Sequence, residues 1–185
     1  SQTVGWFTSI FPMSLVLPDN KDPGAIIRAV KEQLHSIPHN GIGHVVLRYL
    51  GDEKKRRQLA ALPQPEILFN YLGVAAHAEY EAVPIRPLSA DTGQVYGPRN
   101  TRAHLIDINA QVENGHFMAR WHYAPAIFQK AGIETVAKTY IDELARLIDH
   151  CMEVDRIQRT PSDFPLANLQ QDDLDSLSDL LAEFD

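Results

Sequence analysis

Residues 105–123 hold the pattern that most constrains how this chain can fold. Two runs in which apolar and polar residues alternate, 105–112 and 116–123, lie on either side of a turn containing Asn114-Gly115. Asn-Gly is the favoured pair for a two-residue type I′ turn, because both central residues of that turn need positive φ. The sequence therefore predicts a β-hairpin at this point.

Helical patterns occupy much of the remaining sequence. Asp22 stands where an N-cap is expected and Pro23 where a first helical residue is expected, and apolar residues follow at helical spacing until Pro38. Two shorter helices are predicted over residues 42–50 and 52–62. Together with the hairpin, these patterns indicate an α/β fold.

The other segments are predicted from their periodicity and their Pro and Gly content. Apolar residues recur every three or four positions from 133 to 152, which predicts a helix of about five turns. Residues 66–72 resemble a strand, and residues 4–17 resemble a strand that is bent or interrupted at Pro12. Proline and glycine punctuate residues 73–101, which predicts a long surface loop.

Length and composition limit the class of protein. A chain of 185 residues can form one domain with a real core, and a domain of that size buries roughly 70% of its unfolded surface. Cys151 is the single cysteine, so the sequence excludes an intrachain disulfide and a cysteine-rich metal site. No apolar stretch approaches the ~20 residues needed to cross a bilayer. We therefore expect a cytoplasmic protein that does not enter a membrane.

The negative charge is concentrated at the end of the sequence. The net charge is −7, and the residues beyond 169 carry −6 with no Lys or Arg among them, which leaves −1 for the rest. Neither part has the basic character of a nucleic-acid-binding protein. The same acidic segment places apolar residues on one face of a short amphipathic helix, namely Leu174, Leu177, Leu181 and Phe184.

Four runs are too irregular to be generic helices or strands. In chain order they are Thr3-Val4-Gly5-Trp6-Phe7-Thr8-Ser9-Ile10-Phe11-Pro12, Pro38-His39-Asn40-Gly41-Ile42-Gly43-His44, Ile67-Leu68-Phe69-Asn70-Tyr71-Leu72-Gly73 and Thr160-Pro161-Ser162-Asp163-Phe164-Pro165-Leu166. Together they resemble the later motifs of epimerization domains of nonribosomal peptide synthetases, which belong to the wider condensation-domain family. The resemblance covers residues 3–169 in the family's order.

The resemblance implies a chloramphenicol-acetyltransferase-like α/β lobe, in which a mixed β-sheet has helices packed on one side. The family's His-His-x-x-x-Asp-Gly motif lies in an amino-terminal lobe, and its glutamate-bearing motif lies just upstream of the Val-Gly-Trp-Phe-Thr run. This sequence begins after both, so we expect residues 3–159 to form the carboxy-terminal lobe. Residues 160–169 would form a strap. Residues 170–185 would form an acidic tail, either a linker or a docking helix.

The implied reaction needs groups that this sequence lacks. Epimerization of a carrier-bound aminoacyl or peptidyl thioester removes the α-proton from one face and returns a proton to the other, which requires two acid/base groups. In the resembled family these are the upstream glutamate and a histidine of the other lobe. No residue of this chain inherits a catalytic role, and we expect the chain alone to be inactive.

The resemblance also implies the partners. The substrate would arrive on the 4'-phosphopantetheine arm of a peptidyl carrier protein, and the amino-terminal lobe of the same domain would complete the cleft. No bound cofactor and no metal are expected. The eight histidines include no His-Glu-x-x-His motif, and their spacing does not suit a ligand set.

Five residues are candidates for a wall of the substrate cleft. Asn70 and Tyr71 lie in the family's Phe-Asn-Tyr-Leu-Gly motif, and an amide and a phenol can hydrogen-bond a thioester carbonyl or the pantetheine amides. Trp6, Thr8 and Ser9 closely follow the absent glutamate motif. The alternatives are structural: Asn70 satisfies local backbone at a strand end, Tyr71 belongs to the core, and Trp6 packs in the core or against the other lobe.

Two further functions stay open at this point. A true condensation domain would join two carrier-bound substrates through an amide bond, although the runs at 3–12 and 67–73 favour epimerization. Alternatively, the tail is an interaction module that docks onto the next protein of the synthetase assembly. The competing structural reading is that the apolar residues of the tail fold back onto the lobe.

Overall fold

The computed structural model describes residues 8–75, 100–153, 159–167 and 169–182, together with Thr3, Gly5, Gly93 and Gly97. Its helices are α1 (Pro23–His35), α2 (Ile42–Leu50), α3 (Glu53–Ala60), α4 (Lys130–Glu153) and α5 (Gln171–Ala182). Its strands are β1 (Ile67–Ala75), β2 (Ile106–Glu113) and β3 (His116–Tyr123), and short helical turns occupy Pro38–Gly41 and Pro161–Asp163. The helices predicted over 42–50 and 52–62 are confirmed within two residues at each end.

The chain divides into two compact units. One contains residues 1–63 and 140–185, and the other contains residues 64–139. The first unit therefore holds α1, α2, α3 and α5, and the second holds the three strands. The predicted strap and tail both belong to the first unit.

The start of α1 follows the predicted capping pattern. The Asp22 carboxylate accepts a hydrogen bond from the Ala25 N–H at 2.7 Å, and Pro23 takes the first helical position. This cap satisfies one of the backbone donors that a helix leaves unpaired at its start. Local sequence rules were therefore sufficient to place this helix.

The strand predicted over residues 4–17 is wrong in its described part, because residues 8–17 contain no strand. The Gln33 side chain of α1 takes the place of a neighbouring strand: its Nε2 donates to the Val16 carbonyl and its Oε1 accepts from the Val16 N–H, both at 2.8 Å. Pro12 and Pro18 have no N–H to give to a sheet ladder. One side-chain amide therefore holds an extended segment along the helix.

The odd-numbered apolar residues of this segment, which would share one face of a strand, are buried only in part. Phe11 and Met13 are half-buried, whereas Leu15 and Leu17 are exposed. A strand within a sheet has neighbours that cover every second side chain. Residues 8–17 pair with a single glutamine and not with a neighbouring strand, so the apolar side chains of Leu15 and Leu17 remain exposed to solvent.

A left-handed turn joins α1 to α2. His39, Asn40 and Gly41 have φ values of 50°, 52° and 78°, a region that side chains with a Cβ rarely adopt. The Ser9 hydroxyl donates to the Asn40 carbonyl at 2.6 Å. The Phe11 ring packs so closely on Gly41 that a Cβ built there would lie 1.9 Å from Phe11 Cδ1. The turn and residues 8–11 therefore hold each other in place.

The sheet is mixed, with strand order β1-β2-β3. Strand β1 is parallel to β2, and β2 is antiparallel to β3. The predicted hairpin is confirmed: Asn114 and Gly115 have φ values of 52° and 76°, as a type I′ turn requires. The α/β class with a mixed sheet is also confirmed.

Strand β1 extends three residues beyond its predicted end and contains a bulge. The register shifts between Tyr71 and Val74, so that Leu72 and Gly73 lie opposite one residue of β2. Gly73 has a φ of 80°, which glycine adopts without the strain caused by a Cβ. The bulge returns Val74 to the same face of the sheet as Tyr71.

Helix α4 is 24 residues long, longer than predicted. Its apolar stripe is unevenly covered, because Ile133 is buried while Val136, Ile141 and Ile148 are exposed.

In the described part of the chain, no helix combines the length and the apolar character needed to span a membrane.

Candidate functional site

The sheet has two chemically different faces. On β2, Ile108 and Ala110 lie on one face and are buried, with Ala110 at 0% exposure. Because successive side chains of a strand alternate, Asp107, Asn109 and Gln111 lie on the other face. We define the side that carries Asn109 as the polar face of the sheet.

Asn70 lies on the polar face and pairs with another asparagine. Its register partner on β2 is Asn109, and Asn70 Nδ2 donates to Asn109 Oδ1 at 3.2 Å. Both residues are half-buried. Within the described residues, no other hydrogen bond involves the Asn70 side chain. The Asn70 side chain therefore pairs with an amide of the neighbouring strand, which differs from the structural alternative of a bond to local backbone.

Tyr71 points away from this pair. It lies beside Ala110 in the register and therefore on the opposite face from Asn70. Its exposure of 51% contradicts the alternative in which Tyr71 belongs to the core. The two residues of the Phe-Asn-Tyr-Leu-Gly motif thus present their side chains to different surroundings.

Two residues of this region were not identified from the sequence. Asn109 was missed, although polar residues at every second position from Asp107 to Glu113 indicate a polar face. Arg102 was missed as well. Its guanidinium pairs with the Asp107 carboxylate and donates to the His122 carbonyl at 3.1 Å. Arg102 therefore fastens the segment before β2 to the polar face of the hairpin.

The candidates near the start of the chain have different surroundings. Ser9 donates its hydroxyl proton to the Asn40 carbonyl, so this side chain has a structural partner. Thr8 is exposed. Trp6 lies outside the described residues. Thr8 and Ser9 belong to the first unit, whereas Asn70 and Tyr71 belong to the second.

The strap is tied to α1. Thr160 is fully buried, and its N–H donates to Asp163 Oδ2 at 2.9 Å. Lys31 Nζ lies 2.6 Å from the same oxygen, and the Ser162 N–H donates to Glu32 Oε1 at 3.3 Å. Two adjacent residues of α1 thus hold the Thr-Pro-Ser-Asp segment.

These contacts shift the pKa values of both carboxyl groups. Hydrogen bonds from Lys31 and from the Thr160 N–H lower the pKa of Asp163 below its ordinary 3.8. For Glu32, burial acts to raise the pKa, but hydrogen bonds from Ser162 and Thr160 outweigh it and lower the pKa below 4.5. Both folded-state pKa values therefore lie below the unfolded ones. Each carboxylate contributes stability that is fully present above its unfolded pKa and is lost as the pH falls through its folded pKa.

We expect acid to weaken the attachment of the strap. The free energy of unfolding should fall as the pH drops below 4.5 and then below 3.8, the ordinary pKa values of the two groups. Asp163→Asn removes one of the titrating groups, so this variant should be less stable at neutral pH and should lose less stability in acid. Urea denaturation at a series of pH values measures both effects. An identical pH dependence in the variant would contradict this account.

The tail is partly incorporated into the fold. Leu174 is 8% exposed, and Gln171 Nε2 donates to the Arg159 carbonyl at 3.3 Å. Leu177 is exposed. The side chains of Leu181 and Phe184 lie outside the described residues. Leu174 is therefore not free to dock, and docking through the rest of the tail stays a prediction.

Two of the described histidines lie close to backbone carbonyl oxygens. His104 Nδ1 lies 2.9 Å from the Pro65 carbonyl oxygen, and His116 Nδ1 lies 2.9 Å from that of Asn114. In the part of the chain that the structure describes, no three His, Cys, Asp or Glu side chains are grouped to hold a metal ion.

Several known proteins are similar to this chain. The family model described as "Condensation domain" matches residues 1–169. A linear gramicidin synthase protein of Brevibacillus parabrevis is 38% identical over 177 residues, which cover 95% of this chain and 2% of that protein. A mycosubtilin synthase protein of Bacillus subtilis is 34% identical over 176 residues, which cover 95% of this chain and 7% of that protein. The chain thus spans a small part of each of these relatives.

A solved structure has a similar fold. The crystal structure of the epimerization domain from the third module of tyrocidine synthetase B gives a TM-score of 0.70 at 34% sequence identity, covering 82% of this chain and 33% of that one. Because the family model covers most of the sequence and the fold agrees, this chain belongs to the condensation-domain family of nonribosomal peptide synthetases.

Proposed function

We propose that this chain is the carboxy-terminal lobe of an epimerization domain and forms one wall of the cleft in which a carrier-bound thioester is converted from L to D. The likeness to the epimerization domain of tyrocidine synthetase B, over 82% of this chain, carries the proposal. The Phe-Asn-Tyr-Leu-Gly motif of β1 supports it. In this proposal the amino-terminal lobe brings the histidine, and the segment upstream of this chain brings the glutamate.

Asn70 is the residue of this chain that we assign to the substrate. When a base removes the α-proton, negative charge develops on the thioester oxygen, and a fixed N–H donor nearby stabilises that charge. Asn70 is half-buried and uses one N–H for Asn109. Its second N–H and its Oδ1 have no partner among the described residues, and we assign both to a ligand. We assign these groups to the thioester carbonyl or to the pantetheine amides.

The exposed apolar side chains of β1 support the proposal that another protein surface covers this strand in the intact enzyme. Four apolar side chains of this strand, Ile67, Phe69, Tyr71 and Val74, are between 51% and 70% exposed. Strand β1 is also an edge strand of the described sheet. A contiguous apolar surface at a sheet edge marks an interaction site or favours aggregation. We propose that another part of the intact synthetase covers it.

The reaction itself tests the proposal. The intact synthetase that carries this chain, given a loaded carrier protein in deuterated water, should incorporate deuterium at the α-carbon of the substrate. The chain alone should give no more deuterium than a control without enzyme, because the acid/base pair lies outside it. Exchange by the chain alone would overturn this assignment. Amide-bond formation between two loaded carriers, without α-exchange, would favour the condensation alternative.

A further inference from the structure

We propose that Asn109 is a positioning residue that sets the orientation of the Asn70 carboxamide. The inference rests on the proposed contact between Asn70 and the substrate. It adds a residue outside the Phe-Asn-Tyr-Leu-Gly motif, on a different strand.

The backbone of Asn109 is more constrained than the backbone of Asn70. Asn109 lies on β2, which is paired with a strand on each side. Its neighbours along the strand, Ile108 and Ala110, are among the most deeply buried of the described residues. Among the described strands, Asn70 instead lies on the edge strand β1, shortly before the bulge at Leu72 and Gly73. A backbone held on both sides can therefore act as the reference for a side chain on the less constrained strand.

The hydrogen bond restricts a torsion that is otherwise soft. The terminal torsion of an asparagine side chain has broad, roughly two-fold preferences, so a free amide presents either its oxygen or its NH₂ group to a ligand. Because Asn109 Oδ1 accepts from Asn70 Nδ2 at 3.2 Å, the other N–H of Asn70 has a defined direction. Without Asn109, Asn70 also samples orientations that place its oxygen against the developing negative charge.

A double-mutant cycle in the intact synthetase tests this coupling. We measure α-deuterium exchange with a loaded carrier protein for the parent, Asn70→Ala, Asn109→Ala and the double variant. Asn109→Ala should lower the turnover number about 3- to 10-fold with little change in KM, because the contact matters most in the transition state. The double variant should be no slower than Asn70→Ala. Multiplicative losses would overturn the inference.

Two further variants separate positioning from general damage to the sheet. Asn109→Asp keeps an accepting oxygen and should recover most of the lost turnover per folded molecule. Gln111→Ala serves as the matched control, because Gln111 lies on the same face but donates to Glu113 at 3.2 Å; its exchange rate should equal that of the parent. An Asn109→Asp rate as low as that of Asn109→Ala would contradict the positioning role.

The outcomes also distinguish this inference from the proposed function. If Asn70→Ala leaves exchange unchanged, the assigned contact between Asn70 and the substrate fails, and the positioning role fails with it. If Asn70→Ala slows exchange and Asn109→Ala does not, only the positioning role fails. A parent synthetase that shows no α-exchange at all would instead overturn the proposed epimerization.

Discussion

Replacing Gly41 with alanine should lower the free energy of unfolding of this chain by about 2–5 kcal/mol. Two costs combine. Gly41 has a φ of 78°, which costs an L-residue roughly 1–2 kcal/mol. The added methyl group would also lie 1.9 Å from Phe11 Cδ1, so the ring or the turn has to move. Urea denaturation of the purified chain measures the difference.

Gly43 provides a matched control in the same Gly-x-Gly run. It lies inside α2, and a Cβ built there would meet no atom within 4 Å. Gly43→Ala should therefore be neutral or stabilise the chain by about 0.5–1 kcal/mol, as expected for glycine replaced in a helix. Combining Gly41→Ala with Phe11→Ala should remove the steric part of the cost. Equal losses in the two glycine variants would contradict the packing role of Gly41.

Replacing Asn70 with alanine in the intact synthetase should slow turnover, because the activation free energy should rise by about 1–3 kcal/mol. The reason is the loss of a donor close to the oxygen on which charge develops. The measurement is α-deuterium exchange per folded molecule, with the melting temperature recorded in parallel. A lower melting temperature with unchanged turnover per folded molecule would show that Asn70 has a structural role only.

Local rules predicted the elements whose conformation depends on neighbouring residues. Asn114-Gly115 determines the hairpin turn, because both residues adopt the positive φ that the turn needs. Asp22 and Pro23 determine where α1 begins, because the cap and the first helical position are adjacent in sequence. In both cases the physical cause lies within a few residues of the element.

The errors arose where a distant residue determines the outcome. Residues 8–17 alternate as a strand would, but Gln33 supplies their backbone partner from the next helix. The alternation of β2 marks Asn109 as a residue of the polar face, but only the parallel register shows that it lies beside Asn70. Asn70 and Tyr71 are adjacent in the family motif and were therefore assigned to the same wall of the cleft. In β1 their side chains lie on opposite faces of the sheet, because side chains alternate along a strand.

The strand order has a consequence for the chain entropy of the candidate site. Strands β2 and β3 meet across the turn at Asn114 and Gly115, so their pairing closes a minimal loop. Pairing β1 with β2 requires closure of everything between residues 76 and 105, and the entropy lost rises with loop length. The hairpin pairs without β1, but the Asn70–Asn109 pair exists only after the chain between β1 and β2 has closed. The length of the chain between β1 and β2 therefore contributes to the entropic cost of forming the candidate site.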